Sequence, residues 1–382
     1  MSENSMAPAR SRPFVLLAAG GTGGHLFPAQ ALAGVLQSRG IRVELATDER
    51  AAAYAGDFPA EAVHVIPAAT PSRRSIPVAI KAAVTLARGI WKARALARQI
   101  RPDVVVGFGG YPSVPPLLGA SFAGIPTIIH EQNAVLGRAN RFLAPRATAI
   151  ATGFATVGGL TDGLKGKATQ TGNPVRAAVL DAAAKAFVPL TDAGLLHLLV
   201  TGGSQGARVM SDIVPAAIAI LSAADRGRLS IVQQARAEDV ERVEETYRTL
   251  GVRAEVAPFF KDLPARIADA HLVIGRAGAS TVAELAIIGR PSILVPLPGA
   301  LDQDQAANAA TLGRLSAATV ILQDDFTPER LAHEISERLV APGLLTQAAE
   351  AAKSAGIPDS AERLADLVVR VGHIDSAPEI RP

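Results

Sequence analysis

The chain has no cysteine in its 382 residues, which excludes disulfides, thiolate metal sites and a cysteine nucleophile, and suits a reducing compartment. Aromatic residues are scarce, 4% against 49% hydrophobic overall, and tryptophan occurs once. The core is therefore aliphatic, the composition of parallel strands covered by helices on both faces. Few aromatics leave little for base stacking, and a formal charge of +3 is too small to mark a nucleic-acid partner, so none is expected. No apolar run reaches the roughly 20 residues of a membrane-spanning helix. Residues 1–12 are polar, lack the apolar centre of a signal peptide, and are read as a disordered extension. H-E-x-x-H, a Walker A lysine and a metal-type carboxylate cluster are all missing, so neither metal nor cofactor is expected.

What the chain does have is glycine, in two turns almost half its length apart. Gly20-Gly21-Thr22-Gly23-Gly24-His25 follows the apolar run 14–19, and Gly202-Gly203-Ser204-Gln205-Gly206 follows the run 196–200. An amphipathic helical pattern succeeds each. Such a strand–loop–helix unit aims main-chain N–H groups from the positive end of a helix, where an anion is favoured. Strand and helix patterns alternate throughout. Strands are expected near 14–19, 41–47, 62–67, 103–108, 126–130, 147–152, 168–171, 196–201, 229–234, 253–257, 271–275, 292–296 and 318–322. Repeated βα units imply parallel sheets with right-handed crossovers. The expected fold class is α/β, with two Rossmann-like domains facing across a cleft. Pro174, Pro189 and Gly194 punctuate the junction. The expected division is 13–175, 176–355, and a stretch 356–382 whose helix packs back towards the first domain before a tail.

Further motifs sit where strands end. His25 stands at the loop-to-helix transition, placed either to take a proton from a hydroxyl or to bind an anion without chemistry. Pro28 suits the first turn of the following helix. Gly107-Phe108-Gly109-Gly110-Tyr111-Pro112 is a second nest of N–H groups or a packing turn. His130-Glu131-Gln132-Asn133 closes a strand, where open α/β sheets bind ligands. Glu131 is an acid/base candidate there and Asn133 a sugar-binding one, unless both only cap the next helix. Arg176, after Gly172-Asn173-Pro174-Val175, can neutralise a leaving group. Gly278 to Glu284 opens another helix after a strand, and Glu284 can bind ribose hydroxyls or simply favour the helix start. Asp302 to Asn308 offers amides and carboxylates to a sugar, or an N-terminal cap.

One helix is set apart by charge. From Ala62 to Pro102 there is no Asp or Glu, while Lys81, Arg88 and Lys92 share a helical face. Ile76, Ile80, Val84 and Trp91 supply apolar surface. The pattern is that of a helix lying on an anionic membrane, or of a solvated helix whose apolar side is ordinary core.

Taken in order, Gly-Gly-Thr-Gly-Gly-His, Gly-Gly-Tyr, His-Glu-Gln-Asn, Gly-Asn-Pro-Val-Arg, Gly-Gly-Ser-Gln-Gly-Ala, Gly-Ala-Ser-Thr-Val-Ala-Glu and Asp-Gln-Asp-Gln closely resemble the peptidoglycan N-acetylglucosaminyltransferases that convert lipid I to lipid II, over about residues 13–370. The resemblance implies the glycosyltransferase type B fold. It implies inverting transfer of N-acetylglucosamine from UDP-N-acetylglucosamine to the C4 hydroxyl of undecaprenyl-diphospho-N-acetylmuramoyl pentapeptide. It places Thr22, Gly23, Gly24, Asn133, Arg176, Ser204, Gln205, Phe260, Ala279, Ser280, Thr281, Val282, Ala283, Glu284 and Gln305 at the donor. It sets Gly20, Gly21, Gly109, Gly110 and Tyr111 at the acceptor diphosphate, with His25 and Glu131 as catalytic candidates. It further implies a peripheral position on the cytoplasmic face of the bacterial inner membrane, and cell-wall and division proteins as partners. Pro112 and the segment 298–301 depart from the family pattern. A UDP-N-acetylglucosamine 2-epimerase, another UDP-sugar transferase and a nucleotide-sugar-binding scaffold are the alternatives.

Overall fold

The computed structural model describes residues 12–20, 23–49, 58–69, 76–203, 206–299 and 303–374. Two parallel sheets organise it. The first contains β1 (Phe14–Ala18), β2 (Arg42–Thr47), β3 (Val63–Val65), β4 (Val104–Gly107), β5 (Thr127–Glu131), β6 (Ala149–Thr152) and β7 (Ala168–Gln170). Their spatial order is β3-β2-β1-β4-β5-β6-β7. The second contains β8 (Leu196–Thr201), β9 (Leu229–Gln234), β10 (Arg253–Ala257), β11 (Leu272–Gly275), β12 (Ser292–Leu294) and β13 (Ala318–Val320), in the order β10-β9-β8-β11-β12-β13. β1, β4 and β5 are buried along their whole length, as strands covered on both faces must be.

Strand order reverses between β1 and β4 in the first sheet and between β8 and β11 in the second. Registers put Ala18 opposite Gly107 and Thr201 opposite Gly275. The four loops leaving these strands therefore emerge as adjacent pairs at the two switch points, where doubly wound sheets bind ligands.

The chain crosses between the sheets twice, and the crossings touch. Gly172 has φ +83°, and a Cβ built on it would lie 2.9 Å from both Ile357 and Ser360. Ser360 Oγ donates to the Asn173 carbonyl at 2.9 Å. Beyond this contact the helix Ser360–Val371 buries Leu364, Ala365, Leu367 and Val368 among Val15, Leu17 and Val104 of the first domain. Arg39 pairs with Asp366 at its rim.

Two details differ from the sequence reading. The first helix runs Gly23–Ser38, so Pro28 lies inside it rather than in its first turn. Glycines form that turn, and Pro28 has no N–H to donate to the Gly24 carbonyl. Arg12, assigned to the extension, is held by the Gly40 carbonyl and Glu61. Residues 1–11 and the tail 375–382 lie outside the described residues.

Gly172→Ala should lower unfolding free energy by about 2 kcal/mol or more, because it adds a side chain to a left-handed backbone in a filled space. Gly34→Ala, in an exposed helical position with nothing within 4 Å, should gain roughly 0.5–1 kcal/mol. Urea denaturation of the two variants checks both signs.

Candidate active site

The site grows from the C-terminal end of β5. Glu131 is buried there, and its carboxylate is saturated. Oε1 accepts from the Asn133 amide N–H at 2.9 Å and Asn133 Nδ2 at 3.3 Å, and Oε2 accepts from the Gly137 N–H at 2.8 Å and Asn140 Nδ2 at 2.9 Å. Burial pushes its pKa up, and these donors pull it back towards the carboxylate. Glu131 thus folds the 131–140 loop around itself.

Gln132 faces the first glycine loop. Its Nε2 donates to the Phe108 carbonyl at 3.3 Å, which leaves Oε1 to accept from His25 Nδ1 at 3.0 Å. That arrangement fixes the neutral imidazole as the Nδ1–H tautomer and leaves the Nε2 lone pair open. Nε2 lies over the left-handed Gly109–Gly110 turn, 3.3 Å from where a Gly110 side chain would begin. Burial holds the His25 pKa below 6.5, opposed by Gln132 and the Phe108 carbonyl. The imidazole is therefore neutral at neutral pH, the state a base requires. Pro112, the departure from the family pattern, packs close to Gly20 at the end of β1.

His130 turns the other way. Nε2 donates to the Gly172 carbonyl at 3.0 Å, Nδ1 has no hydrogen-bond partner, and the ring rests 5.5 Å from Phe108. Burial drives its pKa down to about 4, and the Gly172 carbonyl opposes that fall. Asn173 Nδ2 donates to the Gln132 carbonyl at 2.9 Å. The strand end is thereby bolted to the first crossing.

On the opposite lobe, helices Arg208–Ile220 and Ala279–Ile288 begin at the switch point, and neither start has a side-chain cap. N–H groups at both starts are therefore available to an anion. The loop before the first is partly self-occupied: the Gly202 N–H donates to Gln234 Oε1 at 3.1 Å. Ser204 and Gln205, like Gly21 and Thr22, lie outside the described residues, and Gly23 opens the first helix.

Ala279, Ser280, Thr281, Val282, Ala283 and Glu284 form the first turns of the second helix. Glu284 is buried 3.6 Å from Arg176, whose guanidinium also lies 4.4 Å from the centre of the Phe27 ring of the first domain. Burial raises the Glu284 pKa and Arg176 counters it. Gln305 Oε1 accepts from the Ala277 and Leu297 amides at 3.3 and 3.0 Å. Phe260 is buried beneath Arg266. Gly24, Gly109, Gly110, Tyr111 and His25 cluster on the first lobe, and Arg176, Glu284 and Gln305 gather on the second.

Phe27 and Gln132 carry no site role in the sequence expectations, and Asn308 enters them only as the last residue of the 302–308 segment offered to a sugar, not as a contact to the opposite lobe. Gln132 lies inside a quoted motif, and Asn308 follows Gln305 by one helical turn, so spacing was the available signal.

The basic helix spans Ile76–Ile100. Its core side carries Leu86, Ile90, Ala93, Leu96 and Ala97, whereas Ile80, Val84 and Trp91 are exposed, Trp91 by 76%. The exposed apolar residues are thus not the helix's core face. Lys81, Arg88 and Lys92 stand beside them, with Lys92 Nζ donating to the Val65 carbonyl. No described helix is long and apolar enough to cross a membrane.

Two opposed parallel-sheet lobes with ligand loops at both switch points define the glycosyltransferase type B architecture, the class of nucleotide-sugar-binding folds. Comparison with known proteins sharpens the class. Residues 15–152 match the glycosyltransferase family 28 N-terminal domain and residues 197–364 its C-terminal domain, and the chain belongs to that family. It is 62% identical over 362 residues to the UDP-N-acetylglucosamine–N-acetylmuramyl-(pentapeptide) pyrophosphoryl-undecaprenol N-acetylglucosamine transferase of Methylobacterium nodulans, covering 94% of this chain and 97% of the relative. The protein of that name from Bradyrhizobium diazoefficiens is 55% identical over 94% of this chain and 98% of its own. The crystal structure of Acinetobacter baumannii MurG superimposes with a TM-score of 0.76 at 30% identity, covering 94% and 99% of the two chains. A UDP-N-acetylglucosamine 2-epimerase superimposes at 0.63 with 13% identity over 96% and 98%, a likeness of fold alone.

His130 ties stability to pH. Its pKa is about 4 folded against 6.5 unfolded, so the unfolded chain binds the extra proton as pH falls. Stability is lost between pH 6.5 and about 4, by up to about 3 kcal/mol. His130→Asn should lose less stability across that window than the parent chain, as measured by denaturant unfolding at each pH.

Proposed function

We propose that this protein transfers N-acetylglucosamine from UDP-N-acetylglucosamine to the C4 hydroxyl of undecaprenyl-diphospho-N-acetylmuramoyl pentapeptide, forming lipid II. The observation that carries the chemistry is the hydrogen bond that holds His25 Nδ1 on Gln132 Oε1 and so turns Nε2 towards the Gly109–Gly110 turn. The 62% identity to a transferase named for this reaction supports the choice of substrates.

In this reading the acceptor diphosphate lies against the loops of Gly20–Gly21 and Gly109–Gly110, beside Tyr111. The donor lies on the second lobe, its diphosphate at Arg176, the 202–206 loop and the start of helix Ala279–Ile288. Glu284 takes the ribose, the Phe260 backbone meets the uracil, and Gln305, Asn133 and the turn 22–24 contact the sugar. His25 Nε2 takes the proton as the C4 oxygen attacks the anomeric carbon. The bond from that carbon to the UDP oxygen breaks, configuration inverts, and the negative charge passes to UDP, where Arg176 and the helix N-termini stabilise it. Glu131, with both oxygens engaged, acts by holding Gln132 and Asn133 in place rather than by moving the proton.

His25→Ala should lower kcat by about 10²–10⁴ while the dissociation constant for UDP-N-acetylglucosamine changes less than about threefold. The wild-type rate should fall on the acid side with a midpoint below pH 6.5, since burial lowers the base's pKa. Turnover with labelled donor and a lipid I analogue measures both. A disaccharide lipid product supports the reading, and a free epimerised sugar nucleotide opposes it.

The exposed face of helix Ile76–Ile100 is the membrane-docking surface in this reading, with Ile80, Val84 and Trp91 entering the interface and Lys81, Arg88 and Lys92 meeting anionic headgroups. It would hold the enzyme on the cytoplasmic face of the inner membrane, within reach of cell-wall and division proteins. The double variant Ile80→Asp/Trp91→Asp should bind vesicles containing phosphatidylglycerol at least about tenfold more weakly than the parent chain, in a flotation assay. Equal binding would remove this face from the role.

A further inference from the structure

Asn308 spans the cleft. It sits on helix Asp304–Gly313, one turn beyond Gln305, and is completely buried. Its Oδ1 accepts from the main-chain N–H of Ala134 at 2.8 Å, on the first lobe. Its Nδ2 donates to Asn133 Oδ1 at 3.0 Å, also on the first lobe, and to the Ala277 carbonyl at 3.2 Å on its own lobe. Its orientation is set by these partners: an N–H demands the oxygen and a carbonyl demands the amino group. Asn133 is fixed in turn, because its Nδ2 donates to Glu131 and its oxygen is left for Asn308.

We propose that Asn308 is a positioning residue for the transfer reaction, the second lobe's half of a latch that sets the His130–Ala134 segment against the donor helix. The inference rests on the reaction proposed above. On one side of Asn308, Asn133 lies next to Gln132, which orients His25. On the other, Ala277 stands just before Gly278, where helix Ala279–Ile288 begins. One side chain thus ties the base's support to the donor's phosphate site. A catalytic geometry displaced by about 1 Å can cost 10²-fold in rate, so a bond acting across the cleft bears on turnover more than on either binding step. When the lobes part, water can replace each of these bonds, so the latch does not prevent opening.

The test is a mutant cycle with two independent readouts. Asn308→Ala should lower kcat by roughly ten- to a hundredfold, with the affinity for UDP-N-acetylglucosamine changed less than about threefold and the melting temperature within a few degrees. Asn308→Asp keeps the acceptor for Ala134 but removes the donor, and should also lose turnover. Combining Asn308→Ala with Asn133→Ala should cost clearly less than the sum of the two single changes, because they share one hydrogen bond across the cleft. As the chain has no cysteine, spin labels can be placed by Arg98→Cys and Glu337→Cys, one on each lobe. The interdomain distance distribution should broaden towards longer values in Asn308→Ala. Unchanged kcat, a loss that only follows a fallen melting temperature, additive losses or an unchanged distance distribution would each overturn the proposal. Failure of the parent chain to form a disaccharide lipid would remove the reaction, and the distance measurement would still decide the latch.

Discussion

A buried carboxylate at the end of one strand organises this molecule's centre. An unpaired charge in that position would be costly, and the chain meets the cost by surrounding Glu131 with N–H donors from its own loop. That demand shapes residues 131–140, and the side chains of the 130–133 strand end leave in different directions. His130 goes to the crossing at Gly172, Gln132 to His25, and Asn133 to Asn308 on the other lobe. His25, the first crossing between the sheets and the opposing domain are thus referred to a single short segment. Loss of the carboxylate would be felt at all three without any of them touching it.

Around this centre the fold supplies fields rather than many charges. Each sheet reverses its strand order once, and each reversal opens a place where helix starts point into the cleft. The starts of Arg208–Ile220 and Ala279–Ile288 carry no side-chain cap, and the positive end of each helix favours an anion. Arg176 is poised between Glu284 and Phe27, one contact on each lobe. These groups are preorganised, which is where electrostatic stabilisation of a leaving diphosphate gains its advantage over water.

The alternation of strands and helices was legible because parallel strands read as continuous apolar runs and glycine loops punctuate them. Even the short edge strand β3 lay within an expected segment. The site was legible as motifs, since His25, Glu131, Arg176 and Glu284 each stand beside a turn signal. What sequence could not convey was direction. His25 is the first choice of base on its motif and Glu131 a rival; hydrogen bonds add that both Glu131 carboxylate oxygens are engaged, whereas His25 is held through Nδ1. Pro28 misled because proline favours a first turn, whereas glycines 23 and 24 start this helix earlier. Asn308 stands in a segment offered to a sugar, but its partner Asn133 lies 175 residues away and no local spacing points to it. The exposure of Trp91 was likewise a property of packing, not of pattern.

The central claim is that two lobes bring two diphosphate-bearing molecules together at one imidazole. The most direct measurement is a crystal structure with an unreactive UDP-N-acetylglucosamine analogue and a lipid I analogue bound together. The account predicts the donor on the second lobe, the acceptor on the first, and the acceptor's C4 oxygen about 3 Å from His25 Nε2. Both ligands on one lobe, or an acceptor hydroxyl remote from His25, would contradict it.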